Sequence, residues 1–264
     1  MIIDLTYHCS MGCTHCMNSC KPDEQHMKLE TLKDALEFCK KNKVEAITLS
    51  GGEIFEHPQI KECLQLVDKY YPKVLIGLLT NGRKLASDKE LLEFMREWTK
   101  KRGKKNYYLQ VTDDARFYPT KLSQKERYNL EKLGAVVEGL QTNQSDNQKC
   151  LYPQGRALEN FDESWWNTLA PKCVNARLVV KQGVNSFQKL VDAFASMGKF
   201  CTPMIDPHGN IKIGESAHCP AVATIYDSDK EIIEKIANCK CTACKIPLEI
   251  FKKQNPLGYA LFMS

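Results

Sequence analysis

Thirteen cysteines in 264 residues constrain this chain more than any other feature. An odd number cannot all pair as disulfides, and the opening residues MIIDLTYHCSMGC lack the basic start and long apolar run of a secretory signal. No apolar stretch approaches the roughly 20 residues that span a bilayer, so a cytoplasmic protein with no membrane partner is expected. In that reducing setting clustered thiols point to metal or redox chemistry rather than to covalent staples. The 43% apolar content suffices for a packed core, as one domain or one plus a small appendage.

The first cluster, Cys9, Cys13 and Cys16, has the spacing C-x3-C-x2-C in a loop directly after a β-like run at residues 2–7. Three thiolates on one short loop, with Gly12 letting the backbone wrap, can take three corners of a cubane iron–sulfur cluster and leave the fourth iron open to a small molecule. The same spacing also suits a zinc site completed by Cys20, or ordinary buried thiols. Cys39 and Cys63 fall on apolar helix faces and Cys150 lies outside both cysteine patterns, so packing is their expected role.

Short aliphatic runs at 44–49, 74–79, 107–112 and 135–140 alternate with amphipathic segments, the rhythm of parallel βα units, and a further strand is expected at 177–181. A helix is expected from His57, with Pro58 in its first turn. Ser87 with Glu90, and Ser123 with Glu126, match the capping-box pattern. Residues 201–214 read as a hairpin turning at Asp206-Pro207-His208-Gly209-Asn210, with a helix near 232–236. Lys100, Lys101, Arg102, Lys104 and Lys105 equal in number the net charge of +5 and read as a solvated helix end.

Leu49-Ser50-Gly51-Gly52-Glu53 ends the second strand and Leu79-Thr80-Asn81-Gly82 the third. With the cysteine loop after the first, this order resembles the radical S-adenosylmethionine (radical SAM) superfamily over residues 1–115. The resemblance implies an α/β fold: a partial (β/α)6 parallel barrel over residues 1–198, with its boundary between 150 and 200. It further implies a [4Fe–4S] cluster on Cys9, Cys13 and Cys16, whose unique iron is chelated by S-adenosylmethionine. Gly51, Gly52 and Glu53 would meet the methionyl amino group, where carbonyls and a carboxylate suit an ammonium. Ser50, Thr80 and Asn81 join that cofactor-binding set. Thr112 and Asp113 would face the ribose, although Asp113 or Asp114 serves equally well as a helix cap. The family's aromatic residue before the last cysteine, which packs by the adenine, is His15 here, and its imidazole can stack or hydrogen-bond to the cofactor in that place; the family's proline after Gly-Gly-Glu is Ile54.

Cys201, Gly214 and Cys219 follow the pattern C-x12-G-x4-C, and Cys241 and Cys244 add C-x2-C. These resemble the twitch form of the SPASM auxiliary domain, which implies a small C-terminal domain at 199–264 with a β-hairpin, a helix and a second [4Fe–4S] cluster. Zinc fits the same four thiols, and Cys239 or Cys173 can replace one of them. Full thiolate ligation suits electron transfer rather than substrate binding. The Gly155-Arg156 pair resembles an element near the barrel mouth of SPASM-type enzymes, which makes Arg156 a candidate for a substrate carboxylate or phosphate, or else for a surface salt bridge.

The function implied is a radical SAM oxidoreductase, reduced by an external one-electron donor such as flavodoxin or ferredoxin. It would cleave S-adenosylmethionine reductively and abstract a substrate hydrogen. With the auxiliary cluster accepting an electron, the outcome is a two-electron dehydrogenation. The chain's shortness puts a small-molecule substrate first and maturation of a ribosomal peptide second. No motif names a catalytic base. A zinc-stabilised nucleic-acid-binding module using Lys100 to Lys105 is the alternative outside enzymes; nucleic acid is not the expected partner.

Overall fold

The computed structural model describes residues 1–140, 149–166, 180, 182–197, 203–214, 219–239 and 245–263. The chain divides into two compact units. One comprises residues 1–13, 20–140 and 205–209; the other comprises 14–19, 141–204 and 210–264.

The first unit is built on strands β1 (Ile2–Thr6), β2 (Ala46–Gly51), β3 (Leu75–Thr80), β4 (Tyr107–Thr112) and β5 (Val136–Glu138). They lie in the order β5-β4-β3-β2-β1, and every neighbouring pair is parallel. Pairs such as Ile3↔Leu49, Ile47↔Ile76 and Leu78↔Leu109 set a continuous row of fully buried aliphatic side chains on one face. Helices α1 (Leu29–Lys41) and α2 (Ile60–Tyr70) bury Leu32, Leu36, Ile60 and Leu64 in the same core. A parallel sheet covered on both sides is aliphatic on both. Here the alternate positions mix Asp4, Thr48, Ser50, Gly77, Gln110 and Thr112 with Ile2, Ala46, Leu75, Leu79 and Tyr108, so the second face carries more polar groups than the first. In a parallel sheet all carboxyl ends leave from one edge, and the cysteine loop, Gly51-Gly52-Glu53, Thr80-Asn81-Gly82 and Thr112-Asp113 all follow such ends.

Helix starts differ from expectation at two places. A single 3-10 turn (Ile54–Glu56) precedes α2, which begins at Ile60 rather than His57. Ser87 does not cap: it ends a separate short helix, α3 (Arg83–Ser87), and its hydroxyl donates back to the Arg83 and Lys84 carbonyls. Asp88 takes the cap of α4 (Lys89–Arg102), accepting from the Leu91 amide at 3.0 Å. At α5 (Gln124–Lys132) the Ser123–Glu126 capping box forms as read, and Gly134 follows at φ +80°.

Arg102 leaves the basic patch. Its side chain is 1% exposed, pairs with Asp68, and donates to the carbonyls of Tyr71 and Asn106, each at 2.8 Å, and of Val74. The four lysines alone are exposed. Arg102→Lys keeps the charge and loses the planar fork, so a loss of about 2 kcal/mol in urea unfolding is expected.

In the second unit, α6 (Arg156–Asn160) is followed by the helix Phe187–Met197, with Phe187 and Leu190 fully buried. Strands β7 (Asn210–Ile213) and β8 (Ala221–Thr224) pair antiparallel. The helix Asp229–Asn238 is capped by a Ser228–Glu231 box and buries Ile232, Ile233 and Ile236. Strand β6 (Pro203–Ile205) ends at Asp206, whose side chain seeds the expected turn by accepting from the His208 amide at 2.9 Å. Of the strand expected at 177–181 only Val180 is among the described residues, and it is helical there rather than extended. No described helix is long and apolar enough to cross a membrane.

Candidate functional site

The exits of β1 and β2 are joined through their backbones. The Gly52 amide donates to the Thr6 carbonyl at 2.6 Å and the Glu53 amide to the His8 carbonyl at 2.9 Å. A Cβ on Gly51, at φ +131°, would stand 2.1 Å from the Thr6 oxygen, and one on Gly52 would stand 2.2 Å from the His8 oxygen. These glycines therefore let one strand exit lie against the next.

Glu56 fixes the start of the cysteine loop. Its carboxylate accepts from the Ser10 amide at 2.9 Å and hydroxyl at 2.6 Å, and lies 3.2 Å from His8 Nε2. His8 Nδ1 accepts from the Asp23 amide at 3.1 Å, and the Cys9 amide donates to the Lys21 carbonyl at 3.0 Å, so both sides of the loop's base are held. Cys9 and Cys13 are buried, while Cys16, in the second unit, is half-buried, as is His15.

Glu53 is completely buried and joins β2 to β3. It accepts from Thr80 Oγ1 at 2.6 Å, the Asn81 amide at 2.7 Å and the Phe55 amide at 3.0 Å. Burial lifts its carboxyl from an ordinary value of 4.5 to about 7, against the pull of those three donors. A raised folded value means that this group's contribution to stability is full below 4.5 and is lost as pH rises through about 7. The metal-free protein is thus expected to be less stable at pH 8 than at pH 5 by a term of the order of 3 kcal/mol, which Glu53→Gln removes; parallel pH series of urea titrations measure it.

At the end of β4, Asp113 is engaged by two arginines: Arg83 Nη2 at 2.5 Å and Arg127 Nη2 at 3.3 Å. Arg83 also donates to the carbonyls of Asn81 at 2.6 Å and Thr112 at 3.2 Å, tying the third exit to the fourth. Its guanidinium lies 4.9 Å from the centre of the Tyr118 ring. Burial, and after it the nearby Cys13 and Glu53, push the Tyr118 hydroxyl well above its ordinary range; Arg83 and a hydrogen bond with Thr112 oppose the shift. Asp114 forms a turn, with its carboxyl held down near 2, first by Arg116. Glu56, Arg83 and Tyr118 are the residues that motif reading missed.

The other candidates are more dispersed. Ser50 is half-buried on the second face of the sheet, opposite Asp4. Arg156 donates its backbone amide to the Cys16 carbonyl at 3.0 Å. Cys219 is buried and Cys239 half-buried, whereas Cys173, Cys201, Cys241 and Cys244 lie outside the described residues. Among the described residues no three His, Cys, Asp or Glu side chains converge on a single ion. A cubane distributes its thiolates over separate irons, and the donor set of the first loop, three soft thiolates, fits such a group by its chemistry; within the first unit, Cys13 and Glu53 both lie near Tyr118.

Residues 3–106 match the family model of the Radical SAM superfamily. The match covers 104 of the 264 residues, and the matched family implies a [4Fe–4S] cluster and S-adenosylmethionine. Over 99 residues, 37% of its length, the chain is 33% identical to the antilisterial bacteriocin subtilosin biosynthesis protein AlbA of Bacillus subtilis (strain 168). Over 98 residues, 36% of the chain, it is 29% identical to the putative peptide biosynthesis protein YydG of the same strain. The matches span only 21% and 30% of those relatives. In fold, the chain is similar to anSMEcpe with bound AdoMet and Cp18Cys peptide, at TM-score 0.53 and 11% identity, covering 91% of this chain and 80% of that one. It is also similar to SuiB of Streptococcus suis bound to the precursor peptide SuiA, at TM-score 0.50 and 12% identity, covering 93% and 70%.

Proposed function

We propose that this radical SAM enzyme modifies a peptide. The observation that carries the reading is the identity of 33% and 29% between its radical SAM segment and two proteins named for bacteriocin and peptide biosynthesis. The chain's length no longer ranks a small molecule first, because the segment compared is only part of those relatives.

Cys9, Cys13 and Cys16 would hold the first [4Fe–4S] cluster, with a fourth coordination site left to S-adenosylmethionine. When bound, the pair supplies one-electron cleavage of the sulfonium and removal of a substrate hydrogen atom. The protein's part is placement and dryness. Glu56 and the 21–26 return hold the base of the cysteine loop, while the bonded exits of β1, β2 and β3 close the polypeptide beneath it. The backbone at Gly51 and Gly52 and the buried Glu53 would face the methionyl amino group. Below pH 7 Glu53 gains a proton and with it a donor.

Arg83 orients Thr112 and Asp113, the candidates toward the ribose, and Tyr118 lies near both Cys13 and Glu53. In the second unit Cys201, Cys219, Cys241 and Cys244 would hold an auxiliary cluster that takes the electron left on the substrate after hydrogen removal. A flavodoxin or ferredoxin would supply the first electron.

The test uses protein reconstituted anaerobically with iron and sulfide, given S-adenosylmethionine and dithionite, and offered either the peptide fraction or the metabolite fraction of deuterated bacterial cells. Deuterium reaching 5′-deoxyadenosine from the peptide fraction alone is the expected result. Transfer from the metabolite fraction alone would return the substrate to a small molecule.

A further inference from the structure

We propose that the Gly155-Arg156 element acts through its backbone, seating the peptide of Cys16 and so aiming that cysteine's sulfur; this rests on the reading of Cys16 as a ligand of the first cluster. Gly155 has φ +56° and ψ −143°, a conformation that side chains of L-residues resist. It also has no room for one. A Cβ there would stand 2.5 Å from both the Cys16 and Met17 carbonyl oxygens and 2.7 Å from the Met17 carbonyl carbon, whereas real Cβ contacts essentially never fall under 3.0 Å. All three obstacles are backbone atoms of the cysteine loop.

The next residue adds a hydrogen bond. The Arg156 amide donates to the Cys16 carbonyl at 3.0 Å, and the Ser19 amide donates to the same oxygen at 3.2 Å. Two donors on one carbonyl fix the plane of the peptide that follows Cys16, and with it the direction of the Cα–Cβ bond one atom away. At the far end of α6, Asn160 Nδ2 donates to the Thr14 carbonyl at 3.0 Å and to its own helix at Arg156 O, 2.9 Å. The short helix therefore grips the C-x2-C end of the loop at residues 14 and 16, through the Arg156 amide and the Asn160 side chain. Gly155, Arg156 and Asn160 are thus positioning residues for a ligand rather than catalytic residues.

The experiment compares Gly155→Ala, Asn160→Ala and the parent, each as the full chain reconstituted anaerobically with iron and sulfide. Three readouts are taken: iron content, the change in the reduced cluster's electron paramagnetic resonance spectrum on adding S-adenosylmethionine, and the melting temperature of the metal-free chain. Gly155→Ala is expected to lower the S-adenosylmethionine-responsive signal at least tenfold and, through its clash with backbone, to lower metal-free melting as well. Asn160→Ala, which introduces no clash, is expected to lower the signal several-fold while metal-free melting moves by only a few degrees. A parental response from both variants would overturn the proposal, as would a loss in Asn160→Ala that only accompanies unfolding of the metal-free chain. If the parent itself shows no response, or Cys16→Ser responds fully, the ligand reading fails first and takes this proposal with it.

Discussion

Gly52→Ala is expected to cost more than about 4 kcal/mol, a large part of the 5–15 kcal/mol typical of a native chain. The new methyl carbon would lie 2.2 Å from the His8 carbonyl oxygen and 2.7 Å from its carbon, both backbone atoms that no rotamer change can remove. Relief requires separating the exits of β1 and β2, and those exits are joined by Gly52 N to Thr6 O at 2.6 Å and Glu53 N to His8 O at 2.9 Å. Separation would also displace His8, and with it the start of the cysteine loop. At this chain length the melting temperature should fall by roughly 10 °C or more. Gly103→Ala is the control: at φ +78° it is strained, yet its Cβ would meet nothing within 4 Å. It is expected to lose only about 1–3 kcal/mol, the strain of its backbone conformation alone. Equal melting of the two variants would mean that the close approach at Gly52 is not what the fold requires.

Cys16→Ala is the second large effect. If three thiolates of the first loop carry one cubane, removing one leaves too few protein ligands to hold an iron open for the sulfonium nucleotide. Iron content is then expected to fall from about eight to about four per chain, and 5′-deoxyadenosine formation to background. The auxiliary cluster proposed above, on cysteines more than 180 residues away in sequence, should persist. Loss of nearly all iron would indicate that the two clusters assemble together, and unchanged 5′-deoxyadenosine would remove Cys16 from the ligand set.

The parallel strands were legible because each is a short aliphatic run closed by a motif, and β4 matches its expected span of 107–112. Capping was legible only where one candidate stood alone. Ser123–Glu126 forms its box, but Ser87 is claimed by the turn before it and Asp88, one residue later, has the free geometry to cap α4. Charge misled at Arg102, since a basic run in sequence does not reveal which member turns inward to Asp68 and three carbonyls. A Cβ at Gly51 or Gly52 would meet the chain's own backbone at Thr6 or His8, a partner that spacing cannot identify. Glu56, Arg83 and Tyr118 carry no motif. They meet the cysteine loop and the Glu53 cluster because parallel register brings four strand exits to one edge.

The account turns on one iron being open. Reconstitution with iron-57 followed by Mössbauer spectroscopy, before and after S-adenosylmethionine is added, reads that directly. The account predicts that a single iron of one cubane changes its signal on addition while the other cubane does not change. An unaltered spectrum, or a chain that takes up tetrahedral zinc in place of iron at Cys9, Cys13 and Cys16, would contradict it.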